Sequence, residues 1–241
     1  MKAAIVTGAS RGLGAALTAQ LLADGYRVAA IARDCSSLAE HPQLITLDAD
    51  LADSQLLPLV LERALAALGD GDSYTLINNA GTVQPIASAD ALPDDTTLQA
   101  VALNLSAPML LCSHFLAHTP ASSQRRIINI SSGAAANPYP GWAVYCATKA
   151  GLDHFTRTLA AEQAQRAVPV QAVSLYPGVV DTGMQAEIRS ADPAAFPGRP
   201  RFEALKADGE LTSPADAAAR IIGYLHSPAF GSQAVLDIRQ L

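Results

Sequence analysis

The stretch TGASRGLG, residues 7–14, joins a short apolar run to the first long helical pattern of the chain. Gly8 permits a tight exit from a strand, Gly12 lets a phosphate approach the backbone, and Gly14 lets the next helix pack close to that strand. The helix that begins here offers free N–H groups and a positive dipole end to a pyrophosphate. A glycine-rich turn can serve packing alone, but its place after the first strand of a βαβ unit predicts dinucleotide binding.

Short apolar runs alternate with longer helical patterns along the rest of the chain. The predicted strands are residues 3–7, 27–32, 43–48, 74–81, 126–132, 168–178 and 233–239, and the predicted helices are residues 12–25, 53–69, 94–118, 143–166 and 213–227. This order predicts a doubly wound α/β fold, a seven-stranded parallel sheet flanked by helices on both faces. We predict a single Rossmann-like domain over residues 1–241, with an irregular, Pro-rich segment at 183–213 as a substrate lid.

Composition and charge exclude several classes of protein. The 241 residues carry a formal net charge of −6, and the mean hydropathy is +0.20. The acidic balance argues against nucleic-acid binding and polybasic membrane binding, and no apolar run approaches the ~18 residues that span a bilayer. The apolar N-terminus enters the glycine turn at once, as a buried strand does and a signal peptide does not. We therefore expect a cytoplasmic protein.

The cysteines and histidines do not form a recognisable metal site. Cys35, Cys112 and Cys146 have no metal-type spacing, and they fit a reducing compartment in which buried thiols act as small apolar side chains. His114 and His118 share a helix face, but no acidic residue lies between them and no third ligand is evident. We predict no metal site and interpret the two histidines as a solvated helix surface.

The end of the second predicted strand bears on the choice between NAD(H) and NADP(H). An NAD(H) site requires an acidic residue there to accept a hydrogen bond from the adenosine ribose 2′-OH. In AAIARD, residues 29–34, Arg33 comes first and Asp34 follows, while Arg11 lies in the glycine loop. Two guanidinium groups suit a 2′-phosphate, so we predict NADP(H). The alternative is a solvated Arg33, with Asp34 on the ribose and a preference for NAD(H).

Five motifs in a fixed order carry a resemblance to a known family. They are TGASRGLG (7–14), NNAG (78–81), NISS (129–132), YCATK (145–149) and PGVVDT (177–182). Together they resemble the short-chain dehydrogenase/reductase family over nearly the whole chain. The stretches GWAVYCATKAGLD, DTGMQ, LKADGEL and VLDIRQL look like a narrower branch, the sepiapterin reductases and the bacterial benzil reductases that form (S)-benzoin.

The resemblance implies carbonyl reduction and assigns four catalytic residues. Ser132 would donate to the substrate carbonyl oxygen, since Ser131 lies on the opposite face of the strand, and Tyr145 would supply the proton to the developing alkoxide. A free phenol, with a pKa of about 10, is a poorly matched donor near neutral pH. Lys149, one helical turn away, would lower that pKa and bond the nicotinamide ribose. Asn104 would hold a water for proton relay; the alternative is a buried amide that satisfies the backbone.

The resemblance also implies the contacts to the cofactor. Asp50 would contact adenine, with Asp48 as the competing register, and Asn79 would brace the central strands. Val180 and Thr182 would bond the nicotinamide carboxamide. The full predicted set is Gly8, Ser10, Arg11, Gly12, Leu13, Gly14, Arg33, Asp50, Leu51, Asn78, Ala80, Gly81, Tyr145, Lys149, Pro177, Gly178, Val180 and Thr182.

The predicted substrate pocket lies between the catalytic helix, the 183–213 segment and the C-terminal strand. Tyr139, Trp142 and Met184 would line an aromatic, largely apolar cavity that suits a bulky aryl ketone or diketone. The alternative for these residues is packing of the segment or contact between subunits. Asp237 matches the aspartate that anchors the pterin in sepiapterin reductases; the alternative is a surface or interface residue.

These features predict an NADPH-dependent carbonyl reductase acting on a benzil-like or pterin-like ketone or diketone. One alternative is a 3-oxoacyl thioester reductase, which would need a basic docking surface. Another is a nucleotide-sensing regulator without turnover, which the presence of Ser132, Tyr145 and Lys149 disfavours. By resemblance we expect a homodimer or homotetramer formed through the long helices at 94–118 and 143–166.

Overall fold

Seven parallel strands form one sheet in the computed structural model, which describes all 241 residues, Met1–Leu241. The sheet order is β3-β2-β1-β4-β5-β6-β7. The strands are β1 (Lys2–Thr7), β2 (Arg27–Ala32), β3 (Leu44–Asp48), β4 (Ser73–Asn78), β5 (Gln124–Ile130), β6 (Gln171–Tyr176) and β7 (Val235–Asp237). The chain reverses its direction of progress between β1 and β4, and a crevice beyond the carboxyl ends of strands at such a point is where open α/β sheets bind ligands.

The chain forms eight α-helices. They are α1 (Gly12–Ala23), α2 (Leu57–Leu68), α3 (Asp94–Val101), α4 (Ala107–His118), α5 (Ala143–Gln163), α6 (Gly183–Ser190), α7 (Arg199–Ala207) and α8 (Pro214–His226). One core lies between the sheet, α1 and α8, and the other between the sheet, α2, α4 and α5. The predicted fold, a doubly wound parallel sheet with helices on both faces, is confirmed.

The central strand β1 shows why its sequence is a continuous apolar run. Ala4 and Val6 pack into the core beneath α1 and α8, whereas Ala3 and Ile5 pack into the core beneath α2 and α4. All four side chains are almost completely buried. Consecutive strand residues point to opposite faces, and here both faces are covered, so no position along β1 favours a polar side chain.

The predicted helix over residues 94–118 contains a π-helical turn. α3 runs into the turn at Ala102–Ser106 and then continues as α4. Pro108 in the first turn of α4 has no N–H to donate to the carbonyl of Asn104 four residues earlier, so the regular α-helical ladder is broken at this point. The wider turn absorbs the break and places Asn104 inside the molecule.

The same stretch, Asp94–His118, is the one helical region long and apolar enough to cross a membrane by length and composition. This differs from the expectation that no apolar run approaches that length. Core helices of globular proteins meet the same criterion, and Leu111, Cys112 and Phe115 are buried against the sheet.

The prolines of residues 183–213 predicted an irregular segment, but the structure has regular helices there. These residues contain α6 and α7, and Pro200 lies in the first turn of α7, where a proline removes no helical hydrogen bond. α2 begins at Leu57, four residues later than predicted, with Pro58 in its first turn.

Candidate active site

The glycine loop between β1 and α1 has the backbone geometry that its sequence predicts. Gly8 and Gly12 have φ angles of 64° and 55°, in the left-handed region that favours glycine. A Cβ atom on Gly14 would lie 2.1 Å from the carbonyl oxygen of Gly8, so no larger residue fits there. The side-chain amide of Asn79 donates to the carbonyl oxygens of Thr7 (2.9 Å) and Gly8 (3.2 Å), and thereby braces the loop against β4 as predicted.

The remaining loop residues divide between the surface and the core. Arg11 is exposed and immediately precedes the first turn of α1. The carbonyl oxygen of Ser10 accepts a hydrogen bond from the Ser37 hydroxyl at 2.9 Å, which ties the loop to the segment after β2. The side chain of Leu13 is buried in the core, so the group it offers to a ligand is its main-chain N–H at the helix start.

The segment after β2 separates the roles of Arg33 and Asp34. Both side chains are exposed. The Asp34 carboxylate accepts a hydrogen bond from the backbone N–H of Ser36 at 2.8 Å, and hydrogen bonding by Ser36 lowers the pKa of Asp34. Arg33 and Arg11 form no salt bridge within the chain. Two unpaired guanidinium groups therefore lie at the edge of the crevice.

The two competing aspartates near β3 also separate. Asp48 accepts a hydrogen bond from the backbone N–H of Cys35 at 2.9 Å, which commits its carboxylate to joining β3 to the segment after β2. Asp50 lies beyond the strand, is exposed, and accepts a hydrogen bond from the N–H of Ala52 at 3.0 Å. Leu51 beside it is buried. Both carboxylates are exposed and each has one oxygen held by a backbone N–H, but Asp48 joins two segments of the chain whereas Asp50 is held only by its own turn.

The side chain of Asn78 points away from the crevice, so a contact of this residue with the cofactor would have to be made by its main chain. Asn78 is buried at the end of β4, and its amide donates to the Asn129 side-chain oxygen at 2.8 Å and approaches the Cys112 sulfur at 3.4 Å. The physical reason is the alternation of the strand, which turns this side chain into the core. The next residues stay close to the loop, since a Cβ on Gly8 would lie 2.8 Å from the Cα of Ala80.

Asn104 is completely buried and its side chain is fully engaged. Its oxygen accepts from the N–H of Thr82 at 2.8 Å, and its amide donates to the carbonyl of Thr82 at 2.8 Å and to the Thr148 hydroxyl at 3.3 Å. Both amide hydrogens are used by protein groups, so the structure favours the second interpretation of this side chain, a buried amide that satisfies the backbone. Its oxygen still lies 3.2 Å from where a Cβ on Gly81 would be, beside the lysine amine.

Ser132 and Tyr145 meet at the carboxyl end of β5. Tyr145 lies in the first turn of α5 and is buried. Burial raises the pKa of the Tyr145 phenol above its usual value, and hydrogen bonding by Ser132 offsets part of the rise. The expected lowering of this pKa by Lys149 is therefore not the net effect in the protein alone, because desolvation is larger. Ser131 is turned inward, with its hydroxyl 3.5 Å from the carbonyl oxygen of Lys149.

Lys149 is a buried cation directly behind the phenol. Its side-chain nitrogen donates to the carbonyl oxygen of Ile130 at 2.8 Å and lies 5.8 Å from the centre of the Tyr145 ring. Burial lowers the pKa of Lys149 to about 8, and the nearby Asp153 carboxylate opposes that shift. The ammonium form of Lys149 is therefore the main form near neutral pH, although its pKa is only about one unit higher.

The loop after β6 faces the glycine loop across the crevice. Gly178, next to Pro177, has a φ of 80°, and Val180 is buried in a parallel bridge with Thr212. The methyl carbon of Thr182 lies 3.0 Å from where a Cβ on Gly12 would be. The two predicted sets of cofactor contacts thus lie on opposite walls of one narrow cleft.

An aromatic cluster covers Tyr145. The Trp142 ring stacks on Phe196 at 4.6 Å, and its centre lies 5.3 Å from Tyr139 and 5.4 Å from Tyr145. Trp142 and Phe196 are buried, whereas Tyr139 and Met184 are half-buried at the edge of the cluster. Packing against the 183–213 segment therefore accounts for Trp142, and Tyr139 and Met184 pack against the edge of the same cluster.

Asp237 is paired within the chain. The Arg239 guanidinium donates to both of its carboxylate oxygens, at 2.9 Å and 2.5 Å, and these hydrogen bonds lower the pKa of Asp237. The Arg239 side chain also lies along Gly178, 3.3 Å from where a Cβ would be. An anion at Asp237 is thus already neutralised at the mouth of the site.

No group of three or more His, Cys, Asp or Glu side chains is arranged to hold a metal ion. His118 instead contacts the carbonyl oxygen of His114 at 2.8 Å. Two residues near the site had no role in the sequence interpretation, Asp153 and Arg239. For Asp153 a signal was present, because it follows Lys149 by four residues on a helix and so shares its face.

The glycine loop and the cluster of Ser132, Tyr145 and Lys149 together indicate the class of protein. A glycine loop at the start of a helix, with a facing threonine loop, fits a nicotinamide dinucleotide. A serine beside a buried tyrosine and a buried lysine fits proton transfer to a carbonyl oxygen.

Comparison with known proteins gives the family. The family model for short chain dehydrogenases matches residues 2–193. The benzil reductase ((S)-benzoin forming) of Bacillus subtilis (strain 168) is 41% identical over 244 residues, covering 100% of this chain and 99% of that protein. The sepiapterin reductase of Meriones unguiculatus is 35% identical, and the match covers 97% of this chain and 94% of that protein. The solved structure of the KRED1-Pglu enzyme is similar with a TM-score of 0.85 and 29% sequence identity, and the match covers 98% of this chain and 100% of that one.

The chain belongs to the short-chain dehydrogenase family, and the resemblance read from its motifs is confirmed, including the branch. It is an oxidoreductase of carbonyl and alcohol groups, built on a fold that binds a nicotinamide cofactor.

Proposed function

We propose that the protein is an NADPH-dependent carbonyl reductase acting on aryl ketones and diketones of the benzil type, with Tyr145 as the general acid. The observation that carries the proposal is the burial of the Tyr145 phenol between Ser132 and Lys149, beneath the aromatic ring of Trp142. An apolar enclosure over a protonated phenol suits a carbonyl that carries an aryl group.

Each side chain has a defined part in the reduction. The Ser132 and Tyr145 hydroxyls hold the carbonyl oxygen; a reduced nicotinamide bound in the crevice would supply the hydride to the carbonyl carbon. Tyr145 gives its proton to the oxygen, which yields the alcohol and leaves a phenolate. Burial raises the pKa of the phenol and so keeps it protonated for donation, while the Lys149 ammonium stabilises the phenolate that remains.

The preference for NADP(H) rests on the edge of the crevice. Arg11 and Arg33 are exposed and have no carboxylate partner, whereas the Asp34 carboxylate is engaged by Ser36. A ribose 2′-phosphate would meet two guanidinium groups, and a ribose 2′-OH would find its acceptor partly occupied. Asp50 has one oxygen held by the Ala52 N–H, and its other oxygen would contact the adenine.

The substrate class rests on Asp237 and the aromatic cluster. A pterin anchored by this aspartate would have to compete with Arg239, which already holds both carboxylate oxygens. A benzil-type substrate requires no such anchor and gains from Tyr139, Trp142 and Met184. The name of the Bacillus subtilis relative points in the same direction.

Residues 183–213 form the lid of the proposed pocket. Phe202 of α7 packs on Trp142 at 5.4 Å, and Lys206 forms a salt bridge at 2.6 Å with Asp181 in the loop after β6. The Arg201 guanidinium donates to the Tyr139 hydroxyl at 3.1 Å. The lid is thus joined to both the catalytic helix side and the cofactor loop, and the whole chain acts as one domain.

A 3-oxoacyl thioester reductase is less well supported. The obvious basic pair, Arg125 and Arg126, lies at the first residues of β5, and the site lies beyond the last residue of the same strand. A carrier protein docked on these arginines would sit at the wrong end of the sheet. A regulator without turnover is also disfavoured, since Ser132, Tyr145 and Lys149 are present and assembled.

We further propose a cytoplasmic homodimer or homotetramer. Leu98, Met109 and Leu110 leave a large part of their apolar side chains exposed along Asp94–His118, the surface expected for subunit contact together with α5. The three free cysteines suit a reducing compartment.

The test is a screen of NADPH oxidation with benzil, sepiapterin, a simple aryl ketone and an acetoacetyl thioester, repeated with NADH. We expect benzil to be reduced fastest and NADPH to be preferred over NADH. A faster rate with sepiapterin or with the thioester would overturn the substrate class. Equal rates with the two cofactors would overturn the cofactor preference while leaving the reductase intact.

A further inference from the structure

A series of ionisable side chains follows one face of the catalytic helix α5. Tyr145, Lys149, Asp153 and Arg157 occur at intervals of four residues, so each lies one turn from the next. Asp153 is 3% exposed, and an ionised carboxylate is almost never buried to this degree without partners. It lies behind the amine of Lys149, away from the proposed substrate and cofactor.

Two donors from the neighbouring strand hold the Asp153 carboxylate. The Ser174 hydroxyl donates to one oxygen at 2.6 Å, and the Tyr176 hydroxyl donates to the other at 2.5 Å. Burial raises the pKa of Tyr176, and Asp153 raises it further, so this phenol remains a donor throughout the ordinary pH range. Hydrogen bonds to the charged form favour that form, which keeps Asp153 ionised in spite of its burial.

The surroundings of Lys149 contain one anion. The elements packed around its amine contribute the Ile130 carbonyl of β5, the Asn104 amide of the π-helical turn and the Tyr145 phenol of α5, all neutral. Asp153 is the carboxylate whose charge acts on Lys149.

The wider charges act on the far side of Asp153. Arg157 on α5 and Asp237 at the end of β7 both act on Tyr176, whereas the charge that acts on Lys149 is that of Asp153. A change of charge at position 153 is therefore a change in the one counter-charge that the lysine has.

We propose, on the basis of the carbonyl reduction proposed above, that Asp153 is a positioning residue of the reaction: its buried carboxylate, held by Ser174 and Tyr176, keeps Lys149 in the ammonium form behind Tyr145. A lysine buried without a counter-charge loses its proton well below its ordinary range. A neutral amine would no longer stabilise the phenolate that remains after proton transfer. The fixed carboxylate thus maintains the charge on which proton transfer from Tyr145 depends.

The lysine content of the chain allows a direct test. The sequence has three lysines, Lys2, Lys149 and Lys206, so labelling with 13C at the lysine Cε gives three signals, and the two exposed lysines serve as internal references. In the full chain we expect Lys149 to titrate at about pH 8. In Asp153→Asn, which is nearly isosteric, we expect its titration to move down by about one pH unit.

The matched control is Tyr176→Phe, which removes one hydrogen bond and keeps the charge. Ser174 still holds the carboxylate, so the Lys149 titration stays close to wild type even where thermal stability falls as much as in Asp153→Asn. In the NADPH-loaded enzyme, the pH above which kcat/KM for benzil declines moves down in Asp153→Asn in step with the Lys149 titration, and does not move in Tyr176→Phe. A structural role alone would lower the rate in both variants at every pH.

A folded Asp153→Asn variant whose Lys149 titrates as in wild type overturns the inference. If that variant does not fold, the wild-type titration decides: a midpoint at about pH 8 or above supports the inference, and one below about pH 7 overturns it, because the carboxylate would then not be holding the proton. Absence of reduction with every ketone, together with a shifted Lys149 titration, would instead disprove the proposed function while the pairing of Asp153 with Lys149 stands.

Discussion

The two sides of the crevice differ in where they keep their charged groups. The nucleotide side, residues 7–14 and 33–37, presents exposed Arg11 and Arg33 on a backbone shaped by glycines. The catalytic side, residues 131–153, holds Tyr145 and Lys149 in the interior, where burial changes the pKa of each. Substitutions on the first side should change affinity in a salt-dependent way, and substitutions on the second should change rates and pH dependence.

Tyr145→Phe should have the largest effect. Loss of the proton donor lowers kcat for benzil reduction by about 10²–10⁴-fold, and NADPH affinity, measured by fluorescence, stays near wild type because the nucleotide side is untouched. This outcome would sharpen the division between the two sides. A Phe variant that retains a rate within about tenfold of wild type would show that the phenol is not the acid.

Ser132→Ala should follow, with kcat lower by about 10²-fold, the usual result of removing one donor to a developing oxyanion. Ser131→Ala is the matched control, since its inward hydroxyl contacts the Lys149 carbonyl at 3.5 Å and takes no part in the proposed chemistry. Equal losses in the two variants would mean that the catalytic side responds to packing and not to the orientation of one hydroxyl.

Arg33→Ala tests the nucleotide side. Removal of a charge-assisted contact to the 2′-phosphate should raise the Kd for NADPH by about tenfold, with little change for NADH and none in kcat at saturation. The difference should shrink in high salt, since Arg33 is exposed. Equal weakening of both cofactors would indicate that Asp34, despite its bond to Ser36, is the group that binds the ribose.

Prediction from sequence succeeded where the signal is local. The left-handed glycines Gly8 and Gly12 and the apolar run of β1 follow from residue type and immediate neighbours. The bracing role of Asn79 follows instead from the family resemblance, since its partners Thr7 and Gly8 lie far earlier in the chain. These features determine the order of strands and helices, and hence the place of the crevice. The nucleotide side is therefore almost entirely contained in short stretches of sequence.

The sequence does not reveal contacts that depend on distant partners. The inward turn of Asn78 requires Asn129 on the adjacent strand, and the engagement of Asn104 requires the π-helical turn and Thr82. Spacing predicted a lowered pKa for Tyr145, but burial raises it, and burial is a property of the assembled fold. The role of Asp153 likewise depends on β6, far along the chain.

The smallest predicted effect, on stability, separates the two sides most directly. Burial lowers the pKa of Lys149 to about 8, so holding its charge at neutral pH costs the folded state about 3 kcal/mol at about 1.4 kcal/mol per pKa unit. Lys149→Met removes that cost but leaves the carbonyl of Ile130 without its donor, a loss of about 1–3 kcal/mol. At about pH 7 we expect the variant to be inactive and more stable to urea by about 1 kcal/mol.

The difference in stability between wild type and Lys149→Met should change sign with pH. In the unfolded chain the pKa of lysine is about 10.4. Between about pH 8 and about pH 10.4 the unfolded chain therefore keeps a proton on Lys149 that the folded protein has released, and the free energy of unfolding of wild type rises with pH across this window. The Met variant has no such group, so its stability does not rise. Near pH 10 wild type should therefore be the more stable of the two in urea unfolding. A difference that does not change with pH would mean that the charge of Lys149 is not strained by burial. In that case the Lys149 charge would cost the folded state no more than the exposed charges of Arg11 and Arg33 do.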